Sequence, residues 1–580
     1  GNVGIGTTTP SQTLTVAGSL SAHSFCASDA AQNHIWGNVG LPNLTTGSNN
    51  TAIGYLALQQ TTGGSYNTVI GAVAMRCNLT GVHNNVIGNC ALHCNTTGSC
   101  NVAIGKSALL YNTEGLNNIA IGSVALLHNT TGNCNTSLGC QSMFCNTTGN
   151  HNVAIGHNSL FNNISGSYNF AAGSTALMSN TCGDWNTAIG LNSLKDNICG
   201  NSNFAAGYYA MCSNTTASYN EAIGHQALFA NTTGTGNKAI GLYALLSNTC
   251  GKHNTAIGNE SLRNNISGCY NIALGTSSLR GNTTGTYNTA IGNNALYNNI
   301  NGGANAAIGD SALLSNTTGS YNTAIGQQAL KNNVIGQNNV AIGLWALCNN
   351  TSSYNYAIGS YALRNNATGQ FNVAFGQAAL TVSTGGCNTA IGGNAGNTST
   401  TGVCSIFIGQ CAIAGSATDS NTIVIGAGAT GNGSNTTTIG NSNTTDAYIC
   451  GDINTNVVKS STYPTYNIIS LEDDNLPNQN GVSLQSVGSM AFFIDVNNNS
   501  SNDSFDWCVD GASGGSPTNI MRLTDEGNLG IGTTSPTTKL QVSGDSLVTG
   551  NSTIYGNLSV TGDFTCIETT ISTTSALSVT

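Results

Sequence analysis

Hydrophobic and polar residues follow a fixed 17-residue pattern through most of this 580-residue chain. Each unit opens with a motif of the type Asn-x-Ala-Ile-Gly, as at Asn101–Gly105 and again at Asn118–Gly122. The glycine that closes the motif recurs in steps of 17 from Gly54 to Gly343, and then in steps of 16 or 17 before a final step of 14. Such a period is typical of a solenoid, in which each rung buries its apolar side chains only against neighbouring rungs.

The pattern within one unit predicts a short strand, a second apolar point and an Asn-x-Thr-Gly corner. Consecutive strand residues point to opposite sides. Nevertheless Ala103 and Ile104 are both apolar, and so are Ala108 and Leu109. One member of each pair can fill the rung, and the other must be covered from outside, so we expect an oligomer. About 24 rungs at about 4.8 Å each predict a rod of roughly 110–120 Å.

Composition and charge divide the chain into segments. Seven acidic and nine basic residues lie between Asn33 and Gly440, whereas fourteen acidic and three basic residues lie from Asp446 to the end. This shift predicts a boundary near residue 446. We therefore expect, in chain order, a β stalk or connector, a parallel β-solenoid, a globular β knob and a second β stalk, over residues 1–32, 33–446, 447–526 and 527–580.

Two sets of residues resemble known families. The Asn-x-Ala-Ile-Gly-x-x-Ala rungs resemble the head repeats of trimeric autotransporter adhesins, and this resemblance implies a homotrimeric parallel β-roll. The flanking segments Gly1–Pro10 (GNVGIGTTTP) and Gly527–Pro536 (GNLGIGTTSP) are similar to segments of phage tail fibres and related surface fibres. Those fibres often end in a self-cleaving chaperone, which would lie beyond Thr580. The absence of an initiator Met at Gly1 also predicts a processed chain or a fragment.

The 20 cysteines favour an oxidising, extracellular location. Residues one rung apart in a parallel stack lie about 4.8 Å from each other, within the Cα distance that a disulfide needs. Three pairs have this spacing, and for each we consider either a rung-to-rung bridge or two small buried residues. The pairs are Cys77 with Cys94, Cys182 with Cys199, and Cys387 with Cys404.

One corner of the rungs carries a column of asparagines, Asn78, Asn95, Asn112, Asn129 and Asn146. Most of them also begin an Asn-x-Thr/Ser sequon, so glycan attachment is one interpretation. The interpretation that we favour is an internal ladder in which each side chain bonds the next rung's backbone. Thr113-Glu114 breaks the sequon at Asn112 but retains the asparagine, which supports the structural role.

A second column consists of aromatic residues that lie just before the first Asn of a rung. Tyr168 and Trp185 lie on neighbouring rungs, as do Tyr270 and Tyr287. Exposed aromatic rings can hold sugar rings, whereas mutual stacking would only stiffen the ladder. The complete column is Tyr66, Tyr168, Trp185, Tyr219, Tyr270, Tyr287, Tyr321, Tyr354 and Phe371.

Metal and catalytic motifs are weak in this sequence. Calcium is considered only near Asp495, where Asp and Asn alternate, but the central Gly and final Glu of an EF-hand are missing. Asp184 and Asp196 are the one acidic pair that could approach each other across a rung, as the two carboxylates of a glycosidase must. Because Lys195 is adjacent to Asp196, we interpret the pair as surface charges rather than as catalytic carboxylates. No other cofactor is expected, and we do not expect an enzyme.

The function expected from these features is attachment by a non-catalytic, extracellular, trimeric fibre on a virion or cell surface. Its partners would be further copies of the chain and a surface glycan or protein receptor. The near absence of clustered basic residues argues against nucleic acid, and the lack of a long apolar run argues against membrane insertion. The alternative is a structural filament or surface coat whose chains join end to end. Ice binding by a flat Thr face is a weaker third possibility.

Overall fold

The computed structural model describes residues 3–5, 14–16, 32–36, 41–444, 504–511, 515–524, 526–556 and 561 of the chain. The described elements are all β-strands, and the chain divides into two compact units, Gly1–Cys450 and Gly451–Thr580. The predicted all-β solenoid with its 17-residue period is confirmed.

The first unit contains a two-stranded parallel pair, β1 and β2, and the 25 strands of the solenoid, β3 to β27. The strand bounds are β1 Val3–Ile5, β2 Leu14–Val16, β3 His34–Trp36, β4 Thr51–Ile53, β5 Thr68–Ile70, β6 Asn85–Ile87, β7 Val102–Ile104, β8 Ile119–Ile121, β9 Thr136–Leu138, β10 Val153–Ile155, β11 Phe170–Ala172, β12 Thr187–Ile189, β13 Phe204–Ala206, β14 Glu221–Ile223, β15 Lys238–Ile240, β16 Thr255–Ile257, β17 Ile272–Leu274, β18 Thr289–Ile291, β19 Ala306–Ile308, β20 Thr323–Ile325, β21 Val340–Ile342, β22 Tyr356–Ile358, β23 Val373–Phe375, β24 Thr389–Ile391, β25 Ile406–Ile408, β26 Ile423–Ile425 and β27 Thr437–Ile439.

The solenoid strands form one continuous parallel sheet in which each strand pairs with the strand of the next rung. The register aligns equivalent residues, so that Ala103 of β7 lies opposite Ala120 of β8. Further backbone hydrogen bonds join the turns of neighbouring rungs, as between Leu92 N and Ala108 O at 2.8 Å. The ladder therefore continues around the rung rather than along one face only.

The interior of the solenoid is narrow and is filled by a few residues from each rung. In the rung that begins at Asn101, the buried side chains are those of Asn101, Ala103, Ala108, Leu109 and Asn112. The middle residue of each strand thus points inwards, while the last residue, an Ile in most rungs, lies on the outside. We call these outer strand residues the Ile column.

The prediction that the Ala-Leu pair exposes one apolar residue is wrong, because Ala108 and Leu109 are both fully buried. The alternation rule fails because this segment is a turn, in which Ser107 has φ +56° and Leu109 has φ +52°. Left-handed backbone conformations at alternate residues turn both side chains inwards. Only the strand therefore places an apolar residue outside in every rung.

The second unit contains a four-stranded sheet in the order β28, β29, β30, β31. These strands are β28 Ser504–Gly511, β29 Gly515–Thr524, β30 Leu529–Ile531 and β31 Leu540–Val542. β28 and β29 form an antiparallel hairpin, whereas β30 and β31 are parallel. The pairing of Leu529 with Leu540 repeats the separation by which Val3 of β1 pairs with Leu14 of β2. The similar terminal motifs therefore adopt the same local pairing.

Candidate functional site

The main candidate site is the column of residues immediately before the buried asparagine that leads into each strand. The backbone here is left-handed, with φ between +54° and +63° at the aromatic and histidine members. The Asn that follows is buried in the core, whereas these aromatic and histidine side chains are exposed. We call this set the aromatic column. Its members are Tyr66, His83, His151, Tyr168, Trp185, Tyr219, His253, Tyr270, Tyr287, Tyr321, Tyr354 and Phe371.

Both pairs that the sequence singled out are stacked in the structure. The ring centroids of Tyr168 and Trp185 are 4.1 Å apart with an interplanar angle of 2°, and those of Tyr270 and Tyr287 are 5.1 Å apart at 3°. Sequence reasoning missed the histidines that extend these stacks. His151 stacks on Tyr168 at 4.9 Å, and His253 stacks on Tyr270 at 5.1 Å. Including His in the search of equivalent positions would have found them.

The stacking direction determines which ring surfaces a ligand can reach. Rings on successive rungs stack face to face along the solenoid, so their planes lie across the solenoid axis and their edges face solvent. Tyr168, in the middle of a stack, has His151 on one face and Trp185 on the other. The stacked pairs therefore do not form a flat platform for a sugar, and only rings that border a gap have a free face.

Polar side chains line both sides of the aromatic column. On the strand side, Lys238 forms an ion pair of 2.8 Å with Glu221 of the preceding rung. On the other side, Asp184 Oδ1 accepts a hydrogen bond of 2.7 Å from the Ser167 backbone N–H. Amides, hydroxyls and carboxylates therefore border the rings and can bond a polar ligand.

A second surface feature is an open, mainly apolar groove of about 650 Å³ along the corner of the rungs. Tyr111, His128, Cys145, Thr113 and Thr130 are among the residues that line it. The Tyr111 and His128 rings stack at 5.3 Å. The repeat pattern did not predict this groove, because the residues that line it vary from rung to rung.

The corner asparagines Asn78, Asn95, Asn112, Asn129 and Asn146 are fully buried and form a ladder of side chains. The Asn95 amide donates to Asn78 Oδ1 and to Gly98 O, both at 2.8 Å. The bonds between rungs thus join side chain to side chain, and the backbone partner lies in the same rung rather than the next. With both amide hydrogens engaged inside the core, a glycan at Asn95 would have to break the ladder.

A second buried ladder, which the sequence analysis did not identify, is formed by the asparagines that precede the strands. Asn101 Oδ1 accepts from the Asn118 backbone N–H at 2.9 Å. The Asn101 amide donates to Gly115 O at 2.9 Å, and the Asn112 amide donates to the same oxygen at 3.1 Å. The carbonyl of Gly115 therefore links the two ladders within one rung.

The cysteine pairs differ from one another. Cys182 and Cys199 form a disulfide with a Cα–Cα distance of 4.9 Å. In contrast, Cys77, Cys94, Cys387 and Cys404 are free thiols, so the bridge that was one alternative for these two pairs is not present, and neither pair is buried. In-register neighbours have Cα–Cβ bonds that point the same way, so the spacing alone does not bring two sulfurs together.

Several acidic residues of the rungs form ion pairs or hydrogen bonds with neighbouring groups. Glu260 contacts Arg263 at 3.0 Å and Arg280 at 2.7 Å. In the described part of the chain, no cluster of three or more His, Cys, Asp or Glu side chains could hold a metal ion. The calcium candidate near Asp495 lies outside the described residues.

No helix of the described ranges is long and apolar enough to cross a membrane. A comparison with models of protein families found no matching family, and a comparison with curated proteins found no similar chain.

Proposed function

We propose that the chain forms the rod of an extracellular attachment fibre that binds surface glycans through the aromatic column. The observation that carries this proposal is the exposure of the column, since its Tyr, Trp and Phe members all lie with a large part of their surface in solvent. Burying a hydrophobic core does not require these rings. Aromatic side chains that remain exposed among polar groups are typical of binding surfaces.

The construction of the solenoid supports this role. Parallel pairing connects each solenoid strand to the next, and the two asparagine ladders join most of the rungs, so neighbouring column members keep a spacing of about 4.8 Å. The column is therefore prearranged, and little conformational entropy is lost when a ligand binds. The Cys182–Cys199 bridge is consistent with an oxidising, extracellular compartment.

We further propose that three copies of the chain pack along the Ile column. Ile155 and Ile189, for example, expose 40% and 42% of their surface. A continuous apolar stripe of this kind favours a partner with the same period, and another copy supplies one in register. The exposed members of the Ile column are Trp36, Ile87, Ile121, Ile155, Ile189, Ile257, Ile291, Ile308, Ile325, Ile358, Phe375, Ile391, Ile408 and Ile439.

Native mass spectrometry of the full chain tests the assembly. We expect three times the chain mass of 58.8 kDa. Ile189→Glu should shift the distribution towards single chains, because it introduces charge into the apolar stripe. Thr187→Glu on the same strand is the matched control, since Glu221 already occupies the equivalent position of another rung. A wild-type chain that stays monomeric at micromolar concentration would contradict the trimer.

A glycan array and adhesion to whole cells test the attachment function with the same full-length protein. We expect retention on a subset of glycans that is lost when the column rings are replaced. Failure to bind any glycan or any cell surface would overturn the proposed attachment function, whatever the oligomeric state.

End-to-end assembly into a structural filament is the second candidate. Among the described strands, β3 and β27 are the two end strands of the solenoid sheet, and this filament would grow by pairing of strands from further copies at these ends. Electron microscopy of purified protein separates the two functions. Head-to-tail polymers without glycan binding would favour the filament.

A further inference from the structure

The aromatic column contains one five-rung pattern twice. His151, Tyr168 and Trp185 form a three-ring stack, which is followed by Ser202 and then by Tyr219. Six rungs later the same order of side-chain types recurs. The second set consists of His253, Tyr270, Tyr287, Ala304 and Tyr321.

Each pattern contains a one-rung gap between two aromatic rings. Ser202 lies between Trp185 and Tyr219, and Ala304 lies between Tyr287 and Tyr321. Both small residues are exposed, so neighbouring rings do not cover them. We call these two gaps the ring slots.

The rings that border the slots are the four most exposed Tyr, Trp or Phe side chains of the column. The exposed fractions are 61% for Trp185, 72% for Tyr219, 63% for Tyr287 and 65% for Tyr321. Tyr66 and the other aromatic members outside the slots expose 55% or less. Each slot therefore has two accessible ring faces and a solvent-open floor.

A neighbouring gap shows that a small residue alone does not make a slot. Gly236 lies between Tyr219 and His253, but the imidazole of His253 leans over it. A Cβ added to Gly236 would be 2.7 Å from His253 Nδ1. The slots at Ser202 and Ala304 do not have such a cover.

The width of a slot limits what can fill it. Rings two rungs apart are separated by roughly 9.6 Å at a strand spacing of about 4.8 Å. A flat aromatic ring fits such a space, since Tyr168 stacks on both His151 and Trp185, which are also two rungs apart. A puckered, saturated six-membered ring is thicker, because C–H bonds project from both of its faces. The slot therefore has room for one ring, and the C–H groups of a pyranose can contact both walls.

The chemistry around the slots also suits a sugar. Asn201 and Ser202 provide an amide and a hydroxyl at the first slot, with Ser218 on the next rung. At the second slot Ser320 corresponds to Ser218, and Thr286 lies one rung before the slot, at the position that Asp184 occupies in the first set. Hydroxyl groups at the edge of a bound pyranose could bond these groups while its C–H faces contact the aromatic rings.

We propose that each ring slot binds one pyranose residue of a surface glycan, held between Trp185 and Tyr219 in one slot and between Tyr287 and Tyr321 in the other. This inference rests on the proposed attachment function and names its ligand class. The sugar lies with its plane across the solenoid axis, so a terminal or branching residue fits better than a chain running along the axis. Six rungs, or about 29 Å, separate the two slots, so one branched glycan or two neighbouring glycans can occupy both.

Saturation-transfer NMR on the full chain tests the slots, with the methyl pyranosides of glucose, galactose, mannose and N-acetylglucosamine as probes. We expect at least one probe to receive saturation at C–H groups on both of its faces. The double variant Ser202→Tyr/Ala304→Tyr should weaken its binding at least about tenfold, because each new ring continues the stack and fills the slot. The fold should persist, since tyrosine already occupies this left-handed position at Tyr168 and elsewhere.

Asn117→Tyr is the matched control, because it adds a tyrosine at the same rung position between Cys100 and Cys134, where no slot exists. This variant should bind the probe as the wild type does. Tyr219→Ala/Tyr321→Ala provides a second test, since it removes one wall from each slot without adding bulk, and it should also lose binding.

The results separate the slot from the wider function. If no methyl pyranoside binds, or if the slot-filling variant binds as well as the wild type, the ring slots are not sugar sites. Glycan-array and cell binding by the slot-filling variant at the wild-type level would leave the attachment function intact while overturning the slots. If the wild type binds no array glycan and no cell, the attachment function itself fails.

Discussion

Asn112 donates a hydrogen bond of 2.9 Å to Oδ1 of Asn95, its counterpart on the preceding rung, in the fully buried corner of the solenoid. The same amide donates to Gly115 O at 3.1 Å, and Oδ1 of Asn112 accepts from Asn129 at 2.7 Å. Asn112 thus links three successive rungs and leaves no amide hydrogen unused. This arrangement explains how a narrow interior can hold so many polar side chains.

Replacing Asn112 by Ala should destabilise the rungs around it by about 2–4 kcal/mol, because the Asn95 oxygen and the Asn129 amide lose their partners in the core. Native-state hydrogen exchange of these rungs is the suitable measurement, since long repeat arrays do not unfold as one unit. Asn85→Ala, at an exposed strand position, is the control and should change stability little. Equal losses of stability in the two variants would show that the hydrogen bonds of the asparagine ladder do not stabilise the rungs.

The glycine that ends each strand has a steric role that can be tested directly. Gly105 has φ +134°, and a Cβ added to it would lie 2.4 Å from Gly122 O of the next rung. Gly105→Ala should therefore cost about 3 kcal/mol or more and disturb the rung spacing. At Gly393 the nearest atom to an added Cβ is 4.0 Å away, so Gly393→Ala should change stability by less than about 1 kcal/mol. Circular dichroism and hydrogen exchange would compare the two variants.

Ring stacking and ligand binding can be separated within the aromatic column. Tyr168→Ala removes contacts with His151 and Trp185, and it should destabilise the local rungs by about 1–3 kcal/mol. Tyr219→Ala removes a ring that borders two gaps, and it should cost no more than about 0.5 kcal/mol. Both residues have the same left-handed backbone, so the backbone effect of Ala cancels in the comparison. A larger loss of stability in Tyr219→Ala than in Tyr168→Ala would contradict the view that Tyr168 stabilises the rungs by stacking and that Tyr219 does not.

The period could be predicted from the sequence because each rung repeats the same few buried positions. Gly105 and its equivalents marked the period, and the spacing of Asn112 from its equivalents identified a ladder. The hydrogen-bond partners could not be predicted, since they depend on which way each amide turns inside the rung. Asn101 was read only as the start of a motif, although it forms a ladder of its own.

The turn after each strand was less predictable than the strand. An Ala108-Leu109 pair predicts one inward and one outward side chain if the segment is extended. The left-handed conformation of Leu109 turns both side chains inwards, and the two residue types alone do not predict that conformation. Similarly, the spacing of Tyr168 and Trp185 predicted adjacent rings but not the direction of their faces. The ring slots depend on that direction, which only the structure supplies.

The Cys182–Cys199 disulfide joins two adjacent rungs through a 17-residue loop. Cys182→Ser/Cys199→Ser should lower the local free energy of unfolding by about 3 kcal/mol, since the bridge restricts the unfolded chain. Hydrogen exchange with and without reductant would measure this change in the wild type. Cys134→Ser, which removes an exposed free thiol, is the control and should give exchange like that of the wild type. Hydrogen exchange that stays unchanged when the disulfide is reduced would exclude a stabilising role for the Cys182–Cys199 bridge.

Cys212 should show an unusual dependence on pH, because burial raises the pKa of its thiol to about 11, with a further contribution from the Asp196 carboxylate and an opposing one from Lys195. The thiolate is the reactive form, so alkylation by iodoacetamide in the folded chain should increase up to about pH 11 rather than level off near the ordinary value of 9.0. Burial also slows access, but that effect lowers the rate at every pH and leaves the midpoint unchanged. Asp196→Asn should lower the midpoint.

The same shift of the Cys212 pKa predicts a loss of stability in alkali. The thiol ionises more readily in the unfolded chain than in the fold, so its contribution is complete below about pH 9 and is lost as the pH rises towards about 11. Cys212→Ser should remove this component and flatten the dependence of local hydrogen-exchange stability on pH in that range. The exposed Cys134→Ser variant should retain it. An alkylation midpoint near 9.0 in the folded wild type would show that the site does not disfavour the thiolate, and the alkaline loss of stability would then need another group.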